Sequence, residues 1–207
     1  MQHFFDLYPP TQSLLIRTAA STDNTFTVTT ADRVILEFVL GRPRQCTLSI
    51  LPGLELITGS GESMDHAVWG FATPGSEMVT HMLDLASMQF GDAGRGDGGE
   101  LFRLVSVERW YDGIEMIAED CKPLKAGAFR IGPTPNDAWL KEVAKRVKAR
   151  WEARATKPWC GYCGKAEPPK KCACGKVYYC GPEHSTAGWG FHRRWCAAAK
   201  KKKAKAL

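Results

Sequence analysis

Cys160-Gly-Tyr-Cys163, Cys172-Ala-Cys174, Cys180-Gly-Pro-Glu-His184 and His192-Arg-Arg-Trp-Cys196 set eight thiol and imidazole side chains within residues 160–196. Zinc takes such donors at the corners of a tetrahedron, and a short loop between two of them lets one stretch of chain supply two corners without strain. Two sites need eight donors, and this segment holds no Cys or His beyond the eight. Full protein coordination also leaves no position open to water, which a catalytic zinc keeps. The spacing therefore predicts two closed, structural zinc ions. So small a segment cannot bury enough apolar surface alone, and metal binding, worth about 10–16 kcal/mol per structural site, is expected to supply most of its folding free energy.

The donors have aromatic companions, Val177-Tyr-Tyr-Cys180 and Trp189-Gly-Phe-His192-Arg-Arg-Trp-Cys196. Together they resemble the MYND zinc finger, with its aromatic-before-Cys and Trp-x-x-His-x-x-x-Cys endings, over about residues 160–196. The resemblance implies interleaved coordination: Cys160, Cys163, Cys180 and His184 on one zinc, and Cys172, Cys174, His192 and Cys196 on the other. It also implies a protein–protein interaction module, with Tyr178, Ser185 and Trp189 lining a peptide-binding surface. Three positions depart from the family pattern. Cys172-Ala-Cys174 is one residue shorter than the usual Cys-x-x-Cys, His184 stands where a Cys is usual, and Ser185 replaces a Gln common in peptide-binding fingers.

Immediately upstream, residues 133–158 read as an amphipathic helix and linker. Thr134 is placed to cap it, Pro135 suits the first helical position, and Trp139, Val143, Val147 and Trp151 recur every fourth residue, which predicts a buried stripe. Downstream, residues 197–207 are Lys-rich and without apolar periodicity, so a disordered tail is expected. It is equally a solubilising end or a nuclear-localisation tract. Residues 141–207 hold 18 Lys and Arg against four acids, a net +14, which leaves 10 − 18 = −8 for residues 1–140. The cationic third is expected to meet an acidic partner or nucleic acid, and its interspersed tryptophans and tyrosines keep a base-stacking role open.

Residues 1–132 read as a small α+β domain containing a β-sheet. Thr25–Thr30, Arg33–Leu40, Cys46–Leu51 and Leu54–Ile57 are strand-like runs punctuated by Gly41-Arg-Pro43 and Leu51-Pro-Gly53. Met78, Met82, Leu85 and Met88 are spaced for a helix over 74–90 that starts at Thr73-Pro74. The run Gly91–Gly99 reads as a mobile loop, without the Lys-Ser/Thr ending of a phosphate-binding loop. Cys46, His81 and Asp84 could be nominated as a cysteine-type acyl-transfer set, but Cys46 sits in a strand-like run, without the helix N-terminus that would activate it. No catalytic residue is assigned.

At 44% apolar and 24% charged residues the chain has an ordinary globular balance. The opening Met-Gln-His-Phe-Phe-Asp has neither a basic start nor a long apolar run, and no stretch approaches a membrane span. A reducing compartment, nucleus or cytoplasm rather than the exterior, is expected, where clustered Cys mean metal. The reading is a non-enzymatic zinc-binding adaptor. Nucleic-acid binding through the basic region is the alternative, and cysteine-dependent acyl transfer the second.

Overall fold

The structure is a computed structural model that describes residues 2–18, 25–51, 54–97, 100–124, 136–193 and 196–198. Thr134, Pro135, Arg194, Trp195 and the Lys-rich end from Lys200 lie outside them, and with them the expected helix cap and the character of the tail. The chain divides into two compact units: Pro9–Thr134, and a second made of Met1–Tyr8 with Pro135–Leu207. Helices and strands both contribute, in an α+β arrangement.

A helical turn, α1 (Gln2–Phe5), opens the chain. The first unit then runs β1 (Ser13–Arg17), β2 (Thr25–Thr29), β3 (Arg33–Gly41), β4 (Cys46–Leu51), β5 (Leu54–Thr58), β6 (Ser63–Phe71), β7 (His81–Asp84), β8 (Arg103–Ser106), α2 (Val107–Ile114) and β9 (Asp120–Pro123). Five strands form one antiparallel sheet in the order β8-β7-β6-β3-β9, while β1–β2 and β4–β5 are separate hairpins. The backbone of the sheet is the nine-residue pairing of β3 with β6, which sets Phe38 opposite His66 and Leu36 opposite Val68.

Because successive side chains in a strand point to opposite faces, this register sorts the sheet into two sides. Phe38, Leu40, Val68, Met82 and Val105 face one side, where Trp110 and Ile114 of α2, with Phe90 and Ile117, complete a closed core. Phe71, Trp69, Leu83 and Leu104 face the other, covered by Ile16 and Val28 of the β1–β2 hairpin. Ser106 caps α2, its hydroxyl accepting from the Arg109 N–H at 3.4 Å.

The helix expected over 74–90 does not form. Residues 81–84 alternate half-buried and buried as β7, paired to β6 on one side and β8 on the other, and Ser87–Gly94 follows as 3₁₀ turns. The methionine spacing that mimics a helical face is accidental: Met82 is in the core, whereas Met78 is 76% exposed. The segment is too short of one-sided burial to be a helix, and two neighbouring strands offer it a full hydrogen-bond ladder. The 3₁₀ turns also take up Gly91–Gly94, with Gly94 buried, so the expected loop does not begin until after them.

The second unit contains α3 (Asp137–Glu152), which ends in a 3₁₀ turn at Ala153–Ala155, then β10 (Lys170–Lys171), β11 (Tyr178–Tyr179) and α4 (Pro182–His192). The helix is where the periodicity placed it, but its stripe is not buried. Trp139 is 60% exposed, Val147 49% and Trp151 48%, and Ala144 alone on α3 is fully buried. Its inward strip is narrow because it packs on the short α1 and is bordered by polar contacts, the His3–Asp137 pair at 2.9 Å and Lys148 over the Tyr8 ring at 4.8 Å. Among the described residues no helix is long and apolar enough to cross a membrane.

Candidate metal centre

Two tight turns present the first four cysteines. After Cys160-Gly-Tyr-Cys163 the chain enters Gly164 at φ +73°, and the Gly164 N–H donates to the Cys160 carbonyl at 2.9 Å. After Cys172-Ala-Cys174 it enters Gly175 at φ +77°, with the Gly175 N–H on the Cys172 carbonyl at 2.8 Å. Left-handed backbone costs glycine nothing, so each turn folds both of its thiols to one side. The β10–β11 hairpin sets Lys171 opposite Tyr178 and carries the chain from the second turn to Cys180. Pro182 starts α4, as its fixed φ and missing N–H allow. His184 and His192 lie eight residues apart on this helix, about 12 Å along its axis, so α4 feeds a ligand to each of two separate places.

The outcome is two four-donor clusters, Cys160, Cys163, Cys180 and His184, and Cys172, Cys174, His192 and Cys196, with the donor atoms of each all within 4.8 Å of one another. In the first, Cys163 Sγ lies 3.6 Å from Cys180 Sγ, and Cys160 Sγ lies 3.6 Å from His184 Nδ1. In the second, Cys172 Sγ lies 3.9 Å from Cys196 Sγ, and His192 Nε2 lies 3.2 and 3.3 Å from Cys172 and Cys174. A tetrahedral zinc with ordinary Zn–S and Zn–N bonds demands edges of about 3.8 Å between sulfurs and about 3.5 Å between sulfur and nitrogen. The clusters have the dimensions of two zinc ions. The shortened Cys172-Ala-Cys174 loop still brings both thiols to the same point, and His184 reaches its site through Nδ1 where His192 uses Nε2.

Residues 160–196 match the family model of the MYND finger. This segment is a MYND finger. It binds zinc, and its two Cys/His clusters fit two ions. No curated protein and no solved structure matches the chain.

The electrostatics explain why the finger needs its metal. Burial opposes ionisation of the Cys160 thiol, but the N–H groups of Cys163, Tyr162 and Cys180, together with His184, hold it down at about 6. Burial and the competing Cys163 and Cys160 sulfurs push Cys180 up to about 11. The three thiols of a site cannot all ionise side by side unless a cation sits among them, and bound zinc deprotonates coordinating thiols outright. Beneath the sites lies Tyr179, whose hydroxyl is driven up to about 12 by burial and then by the Cys172 and Cys174 thiols. Its ring packs so closely on α4 that a Cβ on Gly188 would stand 2.9 Å from Cε1.

The residues nominated for peptide binding lie on two elements, β11 and α4. Ser185 and Trp189 are a helical turn apart on α4, with Trp189 edge-on to His192 at 5.9 Å between ring centres. Tyr178 instead lines a groove with Trp151, Pro158 and Trp159 that includes neither of them. The aromatic and cationic content of this stretch is visible in the sequence, but which rings converge depends on how the end of α3 returns to the finger.

In the sheet unit the nominated Cys46, His81 and Asp84 do not assemble. His81 and Asp84 are three residues apart on β7 and therefore project from opposite faces. His81 packs on Phe26 at 4.7 Å and its Nδ1 lies 3.0 Å from Thr80 Oγ1. The Asp84 carboxylate is engaged elsewhere. It meets His66 Nε2 at 2.7 Å and accepts from Trp110 Nε1 at 3.1 Å and from the N–H groups of Ala86 and Ser87 at 3.0 and 2.8 Å. Cys46 Sγ rests near Gly91, 3.3 Å from where a Cβ there would stand. Sequence reading misses His66 because a histidine on the apolar face of β6 looks like a solvent residue until its partner is known.

Proposed function

We propose that this protein is a zinc-stabilised interaction adaptor whose MYND finger captures peptide segments of partner proteins, and that it performs no catalysis. The observation that supports this best is the completeness of both donor clusters. With four protein ligands per ion neither zinc keeps a position for water or substrate, so the metals hold shape and leave the surface to work. The nominated acyl-transfer residues give no competing centre, since Asp84 is spent on His66 and Trp110. Large aromatic side chains on the finger surface, Tyr162 and Trp189, are of the kind that anchor protein interfaces. Six metal-bound thiolates require a reducing setting, and the proposal includes the cytoplasm or nucleus.

The test is partner capture from a cell extract, quantified by mass spectrometry, with the wild-type chain against Cys180→Ser, which opens the first site. Partners held by the finger are expected to be lost with the zinc. Identical partner sets from the two chains would show that the finger is not the interaction surface.

A further inference from the structure

Where α3 ends, the chain folds back so that the tryptophan at each side of the break meets the finger. Trp151 and Trp159 lie 6.3 Å apart, Arg154 stacks on Trp151 at 4.1 Å and Arg150 on Trp159 at 5.0 Å. Arg150 also donates through Nη2 to the Gly164 carbonyl, and Arg154 through Nη1 to the Trp151 carbonyl at 2.7 Å. Across from them Lys171 sits over Tyr178 at 5.3 Å. Between these elements runs a groove of about 590 Å³, within the ordinary size of ligand pockets. It is lined by the rings of Trp151, Trp159 and Tyr178 and by the cations Arg154, Lys171 and Lys176, and no described residue lining it is acidic.

The same face continues along α3. Trp139, Val143, Arg146 and Arg150 follow at steps of four, three and four, which places them on one side of the helix, and Arg154 follows in the 3₁₀ turn. The three acids of α3 are all taken by lysines, Asp137 by Lys141, Glu142 by Lys145 and Glu152 by Lys148. What this side offers is apolar area flanked by guanidinium groups, and each guanidinium has more donors than its present contacts use.

We infer that this groove, with the α3 face leading into it, is the docking site for an acidic peptide segment carrying apolar side chains. The inference rests on the adaptor reading and gives that reading a site and a partner chemistry. Carboxylates would meet Arg154 in the paired geometry that a guanidinium favours and Lys171 and Lys176 as point charges, and apolar side chains would cover the exposed Trp151. Charge alone would suit a nucleic acid as well, but base stacking needs an open ring face. Arg154 already covers one face of Trp151 and Arg150 one face of Trp159, which leaves fewer open faces for bases than the aromatic content suggests.

The test uses the full zinc-loaded chain to select binders from a random twelve-residue peptide library, followed by fluorescence anisotropy on the selected peptide. A single-stranded RNA of twelve uridines serves as the polyanion comparison. Enriched peptides are expected to carry an excess of Asp and Glu among apolar residues. Their affinity is expected to fall tenfold or more with Trp151→Ala plus Arg154→Glu, and severalfold with the milder Lys176→Glu, while two zinc ions per chain are retained. Peptides without acidic excess, or acidic peptides insensitive to both variants, would overturn the inference. If the selected peptides are lost instead with Trp189→Ala, the adaptor reading stands and the groove assignment falls. Absence of any enriched peptide would overturn both, and tighter binding of the RNA would replace the occupant.

Discussion

Asp84 is the most heavily used carboxylate in the sheet unit, and its chemistry is fixed by its burial. Burial alone would raise its pKa, yet the bond and charge of His66, the indole of Trp110 and the Ala86 N–H together bring it below its ordinary value. A folded-state pKa below the unfolded value of about 3.9 means that the ionised group contributes stability above that pH. The contribution is lost as pH falls through the lower folded value. Urea unfolding of the β3–β6 ladder followed by hydrogen exchange is therefore expected to show the wild type weakening steeply below about pH 4, with Asp84→Asn lacking that part of the slope. At pH 7, Asp84→Ala is expected to cost about 3–5 kcal/mol, because it strands a buried imidazole and indole N–H. Equal pH slopes in wild type and Asp84→Asn would contradict this account. The finger donors, by contrast, were legible residue by residue, since thiols at metal spacing have few other uses. The sequence sets Asp84 near His81, but linear proximity says nothing about strand faces, and its partner is His66.

At the level of elements, strands rich in β-branched and apolar residues were readable, and β2 to β5 stand where their runs put them. The strand that organises the sheet, β6, is not legible in the sequence. Its core-facing row is Met64, His66, Val68 and Gly70, in which a histidine and a glycine break the apolar signal. Both earn their positions only in three dimensions, His66 through Asp84 and Gly70 through Val79, which would sit 3.0 Å from a Cβ. The helix α4 shows the same dependence with opposite signs at two glycines. Gly190 faces open space, so Gly190→Ala is expected to stabilise the helix by about 0.5–1 kcal/mol through backbone entropy. Gly188 is pressed on the buried Tyr179 ring, so Gly188→Ala is expected to cost about 1–3 kcal/mol by overpacking. Finger folding is coupled to zinc, so a chelator titration reads both: Gly190→Ala should hold its metal to higher chelator than wild type, and Gly188→Ala should release it earlier. Release in the reverse order would remove the Tyr179 contact as the reason for Gly188.

For the whole molecule, the decisive fact is where each unit keeps its buried side chains. In the unit Pro9–Thr134 both apolar clusters are built from residues of the strands, the hairpin, α2 and the turns around Phe90 and Ile117, and no zinc ligand belongs to either. Among the described residues of the finger few are buried, and Cys160, His192 and Cys196 among them are metal ligands. One core survives without metal, and the other is largely the metal's own coordination sphere. A zinc chelator is therefore expected to unfold the finger selectively. By hydrogen exchange, amide protection should vanish across 159–193 while β3, β6 and α2 keep theirs. The helix α3 should lose protection with the finger at its C-terminal end first, because a sixteen-residue helix is marginal alone and Trp151 and Arg150 are held through Trp159 and Gly164. Its N-terminal end, tied to α1 by His3 and Asp137, should follow later. Simultaneous loss of protection in the finger and in the β3–β6 ladder would mean that the two units share one cooperative transition, and the division of labour between packed core and bound metal would have to be abandoned.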